Sequence, residues 1–421
     1  FNHALDYAIV RANELKKPLI VCFGLLDDYP EANERHYHFL ILGLTDVEKN
    51  LAKRNIKFVV MHGQPYDVAL HYAKHACMVV TDRGYTRHQK MWRDTVADDT
   101  TCAVYEIESD VVCPVETVSD KHEFAARTIR PKIHRVWERF LVAPEVVKVN
   151  HSSMPLTVKG DLDLSDPDKL LVKLKLDRSV APVKSAVGGE DHGGRMLDDF
   201  IAMRLAGYAE GRNEPADAQV SFMSRFLHYG HLSPLQIALS VEDADAPKVD
   251  RDSYLEELIV RRELSMNFVN FNAKYDQYAC LPAWCQQTLA AHAKDKRPHL
   301  YSRDQLEHAQ TADPYWNAAQ TEMTTTGFMH NYMRMYWGKK ILEWTKSPEE
   351  AFDITLRLNN KYFIDGRDPN GFANVAWIFG LHDRPWTRRP IFGTVRYMNA
   401  AGLERKFDIQ RYVEKVMGTA H

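Results

Sequence analysis

The side chains best suited to chemistry are concentrated between residues 358 and 408 of the 421-residue chain. A polar loop at 365–371 combines two aspartates, an arginine and an asparagine with glycines, and can supply hydrogen-bond donors and acceptors to a heterocycle. Further on, cations alternate with the aromatic side chains of Trp386, Phe392 and Tyr397. The cations are Arg388, Arg389, Arg396, Arg405 and Lys406. Cations bind phosphates and aromatic rings stack on bases, so this stretch favours nucleic-acid binding over a merely solvated basic face.

Three tryptophans have a spacing that could carry an electron. Trp337 and Trp344 are seven residues apart, which places them on one helix face, about 10.5 Å apart along its axis. Trp316 precedes that helix. Without a redox cofactor nearby, the simpler interpretation is that all three are core aromatics.

Two further segments carry weaker signals. Glu257 and Arg261 are four residues apart on a charged amphipathic helix, where such a pair is usually a solvated salt bridge. Ser221 and Ser224 are three residues apart at an expected helix start, where hydroxyls and backbone N–H groups can hold a phosphate. Taken alone, these residues favour capping of the helix over phosphate binding.

The elements that must position these residues form two groups. Within residues 1–149, helical segments alternate with short apolar runs, which lie at 19–26, 58–61, 77–81 and 103–107. This alternation predicts a Rossmann-like parallel α/β domain with helices on both faces of its sheet, and a first strand upstream of residue 1. No G-x-G-x-x-G or P-loop motif follows these strands, which disfavours dinucleotide binding there.

The remainder of the chain is predicted to be helical. Residues 150–194 are rich in Pro, Ser, Asp and Gly, a composition that indicates an interdomain linker. From 195 to 421 apolar residues recur at helical spacing, so we expect one large α-helical domain.

Composition excludes several classes of protein. With 45% hydrophobic and 26% charged residues the chain is typical of globular proteins, and no apolar run is long enough to cross a membrane. The net charge of −3 requires any nucleic-acid surface to be local. The 6 cysteines form no CxxC pair, so we expect reduced thiols, no metal site and an intracellular location in the cytoplasm or nucleus.

Three motifs occur close together near the C-terminus. They are Asp-Gly-Arg-Asp-Pro-Asn-Gly at 365–371, His-Asp-Arg-Pro-Trp at 382–386 and Arg-Tyr-Met-Asn at 396–399. Further matching segments lie at 121–132, 313–318 and 330–337. Over nearly its whole length the sequence therefore resembles the class II cyclobutane pyrimidine dimer photolyases. The resemblance implies that reduced FAD, held in the helical domain and excited by blue light, gives an electron to a dimer flipped out of UV-damaged DNA.

The resemblance also assigns a catalytic pocket. Glu257 matches a glutamate that hydrogen-bonds the dimer, so we expect its carboxyl to be protonated during catalysis. Asn359 matches the asparagine beside flavin N5, where an amide favours the reduced cofactor. The residues that match the lining of the dimer pocket are Arg212, Met335 and Trp377. Arg261 is a departure, because some relatives carry a tryptophan at that position.

The same resemblance implies contacts to the cofactor and a chain of electron carriers. Trp337, Trp316 and Trp344 match the proximal, medial and distal members of a chain that reduces the flavin in light. Arg334 and Asp383 match a bridging pair near the flavin. The other cofactor contacts would be Tyr208, Ser221, Ser224, Asp365 and Asp368. The basic residues from Arg388 to Lys406, with Arg212 and Arg261, would bind the damaged DNA.

Three other functions compete with dimer repair. A cryptochrome-like photoreceptor would keep the flavin but not the dimer pocket, and the presence of Glu257, Met335 and Trp377 argues against it. Repair of (6-4) photoproducts uses a histidine acid in the pocket, which no motif places. A DNA-binding module without chemistry leaves the flavin motifs unexplained. We further expect a monomer, and the N-terminal domain of this family can carry a deazaflavin-type antenna.

Overall fold

The computed structural model describes residues 1–217 and 219–419 and divides the chain into two compact units. The first unit comprises Phe1–Thr117, Val136–Asp198 and Phe222–Asp243. The second unit comprises Val118–Arg135, Asp199–Ser221 and the residues from Ala244 onward. The last two residues of the predicted helical domain, 420 and 421, lie outside the described residues.

Helices and strands alternate in the N-terminal region. The elements are α1 (His3–Leu15), β1 (Ile20–Leu25), α2 (Glu34–Lys53), β2 (Lys57–His62), α3 (Pro65–Ala73), β3 (Met78–Asp82), α4 (Arg87–Asp99) and β4 (Ala103–Ile107). Strand β1 pairs in parallel with β2, and β3 pairs in parallel with β4. The predicted parallel α/β arrangement is confirmed. Each strand uses only one of its two edges, however, so the described residues form two separate two-stranded sheets rather than one continuous sheet.

Helices dominate from residue 115 onward. The first group is α5 (Val115–Val118), α6 (Ala126–Phe140), α7 (Pro167–Lys173), α8 (Glu190–Met203), α9 (Tyr208–Gly211), α10 (Ser224–His228) and α11 (Pro234–Glu242). The second group is α12 (Lys248–Leu255), a π-helical turn (Glu256–Arg261), α13 (Arg262–Phe271), a 3-10 turn (Tyr278–Cys280), α14 (Ala283–Ala291), α15 (Arg303–Glu307), α16 (Pro314–Thr326), α17 (Asn331–Trp344), α18 (Pro348–Tyr362), α19 (Pro369–Ile378), α20 (Ala400–Lys406) and α21 (Ile409–Thr419). Among these described helices, none is long and apolar enough to cross a lipid bilayer.

Residues 150–194, which composition marks as a linker, contribute to the core of the first unit. The Asp166 side chain accepts a hydrogen bond from the Lys169 N–H at 3.0 Å and caps α7. Buried leucines of this segment then pack against α2 and the two strands β1 and β2; they are Leu164, Leu170, Leu171 and Leu174. The polar composition of the segment therefore conceals an apolar face that is held by the first unit.

Two helices that carry candidate site residues begin at aspartate caps followed by proline. Asp313 accepts hydrogen bonds from the N–H groups of Tyr315 and Trp316 at the start of α16. Asp368 accepts one from the N–H of Asn370 at the start of α19. These caps satisfy backbone donors that a helix start leaves without partners, and they fix where each helix begins.

Lys339 on α17 is completely buried between helices of the second unit. Its Nζ donates a hydrogen bond to the carbonyl oxygen of Ile378, the last residue of α19. Gly338 allows this approach, because a Cβ at that position would lie 2.2 Å from the Ile378 side chain. Burial lowers the pKa of Lys339 to about 7.

We expect Lys339→Met to flatten the pH dependence of folding stability between about pH 7 and pH 10. In that interval the unfolded wild-type chain binds a proton at Lys339 that the folded chain has lost. Stability of the wild type therefore rises with pH, by up to about 1.4 kcal/mol per pH unit, and methionine removes this contribution. Denaturant unfolding at both ends of the interval measures the difference. Parallel pH profiles for the two proteins would contradict the expectation.

Candidate active site

A π-helical turn, Glu256–Arg261, lies between α12 and α13. In an α-helix, residues five apart point in directions about 140° apart around the axis. The i→i+5 bonding of a π turn instead brings such residues to the same side. Arg261 Nε accordingly donates to Glu256 Oε1 at 3.0 Å. The pairing of Glu257 with Arg261 that helical spacing suggested is wrong, because it assumed an uninterrupted α-helix.

Glu257 forms its ion pair with Arg212. The Nη1 atom of Arg212 lies 2.8 Å from Oε1 of Glu257, and 34% of the Glu257 side chain remains exposed. The same guanidinium lies 5.8 Å from the ring centre of Tyr208. The protonated acid expected at Glu257 from the resemblance stays a prediction.

Glu256 is held by two arginines. Arg130 donates from Nε to Oε2 at 3.0 Å and from Nη2 to Oε1 at 2.6 Å, and Arg261 adds the third hydrogen bond. Burial acts to raise the pKa of Glu256, but the hydrogen bonds and charges of the two arginines outweigh it and lower the pKa. Sequence reasoning missed this network because Arg130 and Glu256 are 126 residues apart. The motif at 121–132, which contains Arg130, was the available signal.

Trp377 forms an aromatic wall beside the same network. The Cζ atom of Arg261 lies 5.8 Å from the Trp377 ring centre, within range of a cation–π interaction. The His382 ring meets the indole edge-on at 6.1 Å, and its Nδ1 donates to the carbonyl oxygen of Phe124 at 2.8 Å. Burial lowers the pKa of His382 to about 4, so its ring is neutral. Sequence reasoning gave His382 no role; the structure makes it a support for Trp377.

Arg334 pairs with Asp365, and the predicted bridge from Arg334 to Asp383 is wrong. The Nη2 atom of Arg334 lies 3.1 Å from Asp365 Oδ1, and only 14% and 11% of the two side chains are exposed. The guanidinium also packs 3.7 Å from the ring centre of Phe363. Asp383 accepts instead from the Trp386 indole N–H at 3.1 Å. Residue spacing could not choose between two aspartates, because the choice depends on how α17 packs against the loop at 365–368.

Asn359 is buried on α18, with 4% of the residue exposed. Its Nδ2 donates to Asn360 Oδ1 at 3.0 Å. A Cβ added at Gly371 would lie 3.3 Å from Nδ2, so glycine leaves room for the amide. Within the described residues no donor reaches Asn359 Oδ1, which leaves an amide oxygen able to accept a hydrogen bond from a ligand N–H group.

Tyr208 and Ser221 are brought together by Tyr254. The rings of Tyr208 and Tyr254 are 5.2 Å apart, and the Tyr254 hydroxyl donates to Ser221 Oγ at 2.9 Å. The Asp250 carboxylate accepts hydrogen bonds from the backbone N–H groups at the start of α9, which carries Tyr208. Burial raises the pKa of Tyr208, so it stays a neutral phenol.

Ser224 lies in the first unit, apart from Ser221 in the second. It is the first residue of α10, whose preceding residue is Met223 and whose start has no side-chain capping hydrogen bond. Ser224 therefore lies inside the helix and does not cap it. The backbone turns at Phe222, with φ of 61°, so the chain does not enter α10 in the extended geometry that a serine cap requires.

The three tryptophans form one buried, connected group. Trp316 Nε1 donates to the carbonyl oxygen of Trp337 at 2.9 Å. The rings of Trp316 and Trp344 meet edge-on with centres 5.7 Å apart. Trp337 Nε1 donates to Gln320 Oε1 at 2.8 Å, and the three indoles are at most 3% exposed. Trp316 thus contacts both of the other two, and the order of electron transfer implied by the resemblance stays a prediction.

The basic stretch combines cations with rings at the surface of the second unit. Trp386 is 40% exposed and has the Arg396 guanidinium 5.2 Å from its ring centre. Arg389 lies 5.9 Å from the ring of Tyr397, and Lys406 Nζ lies 4.4 Å from that of Tyr332. Arg388 and Arg405 are exposed, whereas Met335 on α17 is half-buried. The arrangement suits phosphates and bases, and binding of DNA by these residues stays a prediction.

Relatives of this chain are found over its whole length. Residues 2–150 match the family model described as DNA photolyase. A protein named deoxyribodipyrimidine photo-lyase from Methanothermobacter thermautotrophicus is 50% identical over 99% of this chain and 92% of its own. Proteins of the same name from Arabidopsis thaliana and Potorous tridactylus are 39% and 40% identical over 99% of this chain, and over 86% and 78% of theirs.

Solved structures share the fold at low sequence identity. A class III photolyase from Agrobacterium tumefaciens has a TM-score of 0.74 at 19% identity and covers 98% of this chain and 83% of its own. A cryptochrome from Synechocystis has a TM-score of 0.75 at 17% identity, covering 98% and 85%. A Sulfolobus tokodaii photolyase solved with two FAD molecules has a TM-score of 0.70 at 16% identity, covering 98% and 86%. These likenesses establish the fold.

Proposed function

The chain belongs to the DNA photolyase family, and on that premise we propose that it repairs cyclobutane pyrimidine dimers in UV-damaged DNA by means of light and bound FAD. The observation that carries the assignment of the dimer site is the partly exposed Glu257–Arg212 ion pair. Glu257 lies on the π turn, and Arg261 at the other end of that turn lies against Trp377. A charged pair, a cation and an aromatic wall together suit a flipped dinucleotide, which offers imide groups, a phosphate and two ring faces.

The residues of the second unit fit a flavin. Reduced FAD, when bound, supplies the electron that light makes available for splitting the dimer. Asn359 Oδ1 has no donor among the described residues, so it can accept a hydrogen bond from the N–H at the reduced flavin N5. Asp365, held in place by Arg334, retains acceptor sites for further N–H groups. Tyr208, Ser221 and Asp368 are proposed as the remaining contacts from this unit, and the contact assigned to Ser224, which lies in the first unit, stays a prediction.

Glu257 and Arg212 act on the dimer as a unit. A carboxyl oxygen of Glu257 can accept a hydrogen bond from an imide N–H of the dimer, while Arg212 donates to a neighbouring carbonyl oxygen. Arg212 also fixes the orientation of Glu257 before substrate arrives. Trp377 provides the face on which one ring of the dimer packs, with Met335 proposed as a further part of that pocket.

A repair assay with chemically reduced protein tests this function directly. The purified protein should show flavin absorption and should restore thymine absorbance in a dimer-containing oligonucleotide only under blue light. An identical oligonucleotide without a dimer and a sample kept in the dark are the controls. Flavin absorption without repair would indicate a cryptochrome-like photoreceptor instead. Additional absorption bands would reveal the deazaflavin-type antenna, which stays a prediction, as does membership of class II.

We expect Trp316→Phe to abolish most of the photoreduction of oxidised flavin while leaving repair intact in chemically reduced protein. Buried Trp316 contacts the backbone carbonyl of Trp337 and the ring of Trp344, so phenylalanine removes the indole that contacts both residues. Absorbance recorded during illumination with a reductant measures photoreduction. Trp92→Phe, a substitution in the first unit, is the matched control. Equal loss of both activities would show that Trp316 is structural.

A further inference from the structure

We propose that Arg261 is a recognition residue for a backbone phosphate of the damaged strand, at the phosphodiester next to or within the flipped dimer. This inference rests on the proposed function and names a contact for a residue at which the chain departs from some relatives. Three features carry it: the anchoring of the guanidinium, its unused donors and the balance of charge around it.

Arg261 is anchored at one edge only. Its Nε donates to Glu256 Oε1 at 3.0 Å, and Glu256 is itself fixed by two hydrogen bonds from Arg130. One side of the guanidinium faces Trp377, with Cζ 5.8 Å from the ring centre. Because the anchor arises from the i→i+5 geometry of the π turn, the guanidinium is oriented before any ligand binds.

The other edge of the Arg261 guanidinium carries the N–H donors of Nη1 and Nη2. In the part of the chain that the structure describes, neither Nη1 nor Nη2 of Arg261 has a hydrogen-bond acceptor. About one third of the side chain is exposed, 33% by area, so a ligand can reach these atoms. Two parallel N–H groups form a fork that matches two oxygens of a phosphate.

The net charge of the group formed by Arg130, Glu256 and Arg261 favours a phosphate over a base carbonyl. Arg130 and Arg261 carry two positive charges and Glu256 one negative charge, so this group has one positive charge in excess. The adjacent Glu257–Arg212 pair is neutral as a unit and does not compensate it. A phosphodiester carries one negative charge and balances the excess, whereas a neutral carbonyl group would leave it unmatched.

Binding of a dimer-containing oligonucleotide to flavin-loaded protein, measured in the dark over a range of salt concentrations, tests the proposal. We expect Arg261→Gln to weaken binding about ten- to a hundredfold and to reduce the slope of log K against log salt by about 0.7–0.9. Arg261→Lys, which keeps the charge but not the fork, should retain the slope and lose part of the affinity. Arg303→Gln, which removes an exposed charge paired with Asp353, is the charge-matched control and should leave the slope unchanged.

Replacement of single phosphates by neutral methylphosphonates identifies the partner without altering the wild-type protein. One position at the dimer should weaken wild-type binding by the factor that Arg261→Gln produces, and should have no effect on that variant. An unchanged salt slope in Arg261→Gln would overturn the proposal. So would a scan in which the effects of the Arg261→Gln substitution and of the methylphosphonate are additive at every position. If Arg261→Gln does not fold, the wild-type scan decides alone, since insensitivity at every phosphate around the dimer contradicts the contact.

Two further readouts separate this inference from the proposed function. At limiting DNA, light-driven repair by chemically reduced Arg261→Gln should fall in proportion to its weaker binding, because the contact acts on binding. Wild-type protein that neither repairs the dimer in light nor prefers it to undamaged DNA would refute the proposed function. Normal wild-type repair with a salt slope unaffected by Arg261→Gln would refute this inference alone.

Discussion

Glu257→Ala should slow light-driven repair about 10²–10³-fold at saturating substrate, the range found when a preorganised hydrogen-bonding group is removed from an active site. Alanine removes the acceptor proposed for the dimer, and it leaves the Arg212 guanidinium without its 2.8 Å partner. The unpaired cation is then free to reorient, so the second dimer contact is weakened as well. Single-turnover repair by chemically reduced protein under a calibrated light source measures the loss.

Glu257→Gln is the matched control for this prediction. Glutamine keeps the size of the side chain and one acceptor oxygen but loses the charge that holds Arg212. We expect an intermediate rate, together with flavin absorption equal to that of wild type in both variants. Repair by Glu257→Ala at the wild-type rate would remove Glu257 from the proposed mechanism, and loss of flavin from either variant would show that its role is structural.

Asp365→Asn should have the largest effect on folding, with a loss of about 3–5 kcal/mol in the free energy of unfolding. The substitution leaves the Arg334 guanidinium largely buried, against the Phe363 ring and without its ion-pair partner. An uncompensated buried charge is far more costly than the absence of the whole pair. Denaturant unfolding of flavin-loaded protein measures the effect, which should be accompanied by faster release of flavin.

Asp383→Asn is the control for this prediction, because Asp383 is the aspartate that the resemblance paired with Arg334. Asp383 accepts hydrogen bonds from the Trp386 indole and the Arg384 backbone N–H, both at the surface. Its amide variant should therefore lose less than about 1 kcal/mol. If Asp383→Asn destabilised the protein as much as Asp365→Asn, the result would support the ion pair between Arg334 and Asp383 that the resemblance implied.

The fold was largely accessible from sequence because its signals are local. The run at 103–107 coincides with β4, and the other three strands were placed within two residues, since short apolar runs between helical segments are distinctive. The segment 150–194 was harder to interpret. Its polar residues dominate the composition, while the buried leucines are few and lie in and beside the short helix α7.

Sequence reasoning named the candidate site residues, whose roles stay predictions, but it did not give their pairings. Residue types and motifs led to Glu257, Trp377 and the three tryptophans, and the seven-residue spacing of Trp337 and Trp344 follows from regular helix geometry. The partner of Glu257 was missed because the π turn departs from that geometry. Asp365 was missed as the partner of Arg334 because pairing across two elements is set by packing, which spacing does not encode.

The acceptors of the two innermost indoles have a consequence for the kind of radical that these side chains can hold. Trp316 donates its N–H to a backbone carbonyl and Trp337 donates to a glutamine amide, and both rings are shielded from water. Amide oxygens are too weakly basic to take a proton from an oxidised indole. A tryptophan oxidised at either position should therefore remain a protonated radical cation. Back electron transfer to that ring then needs no proton from solvent.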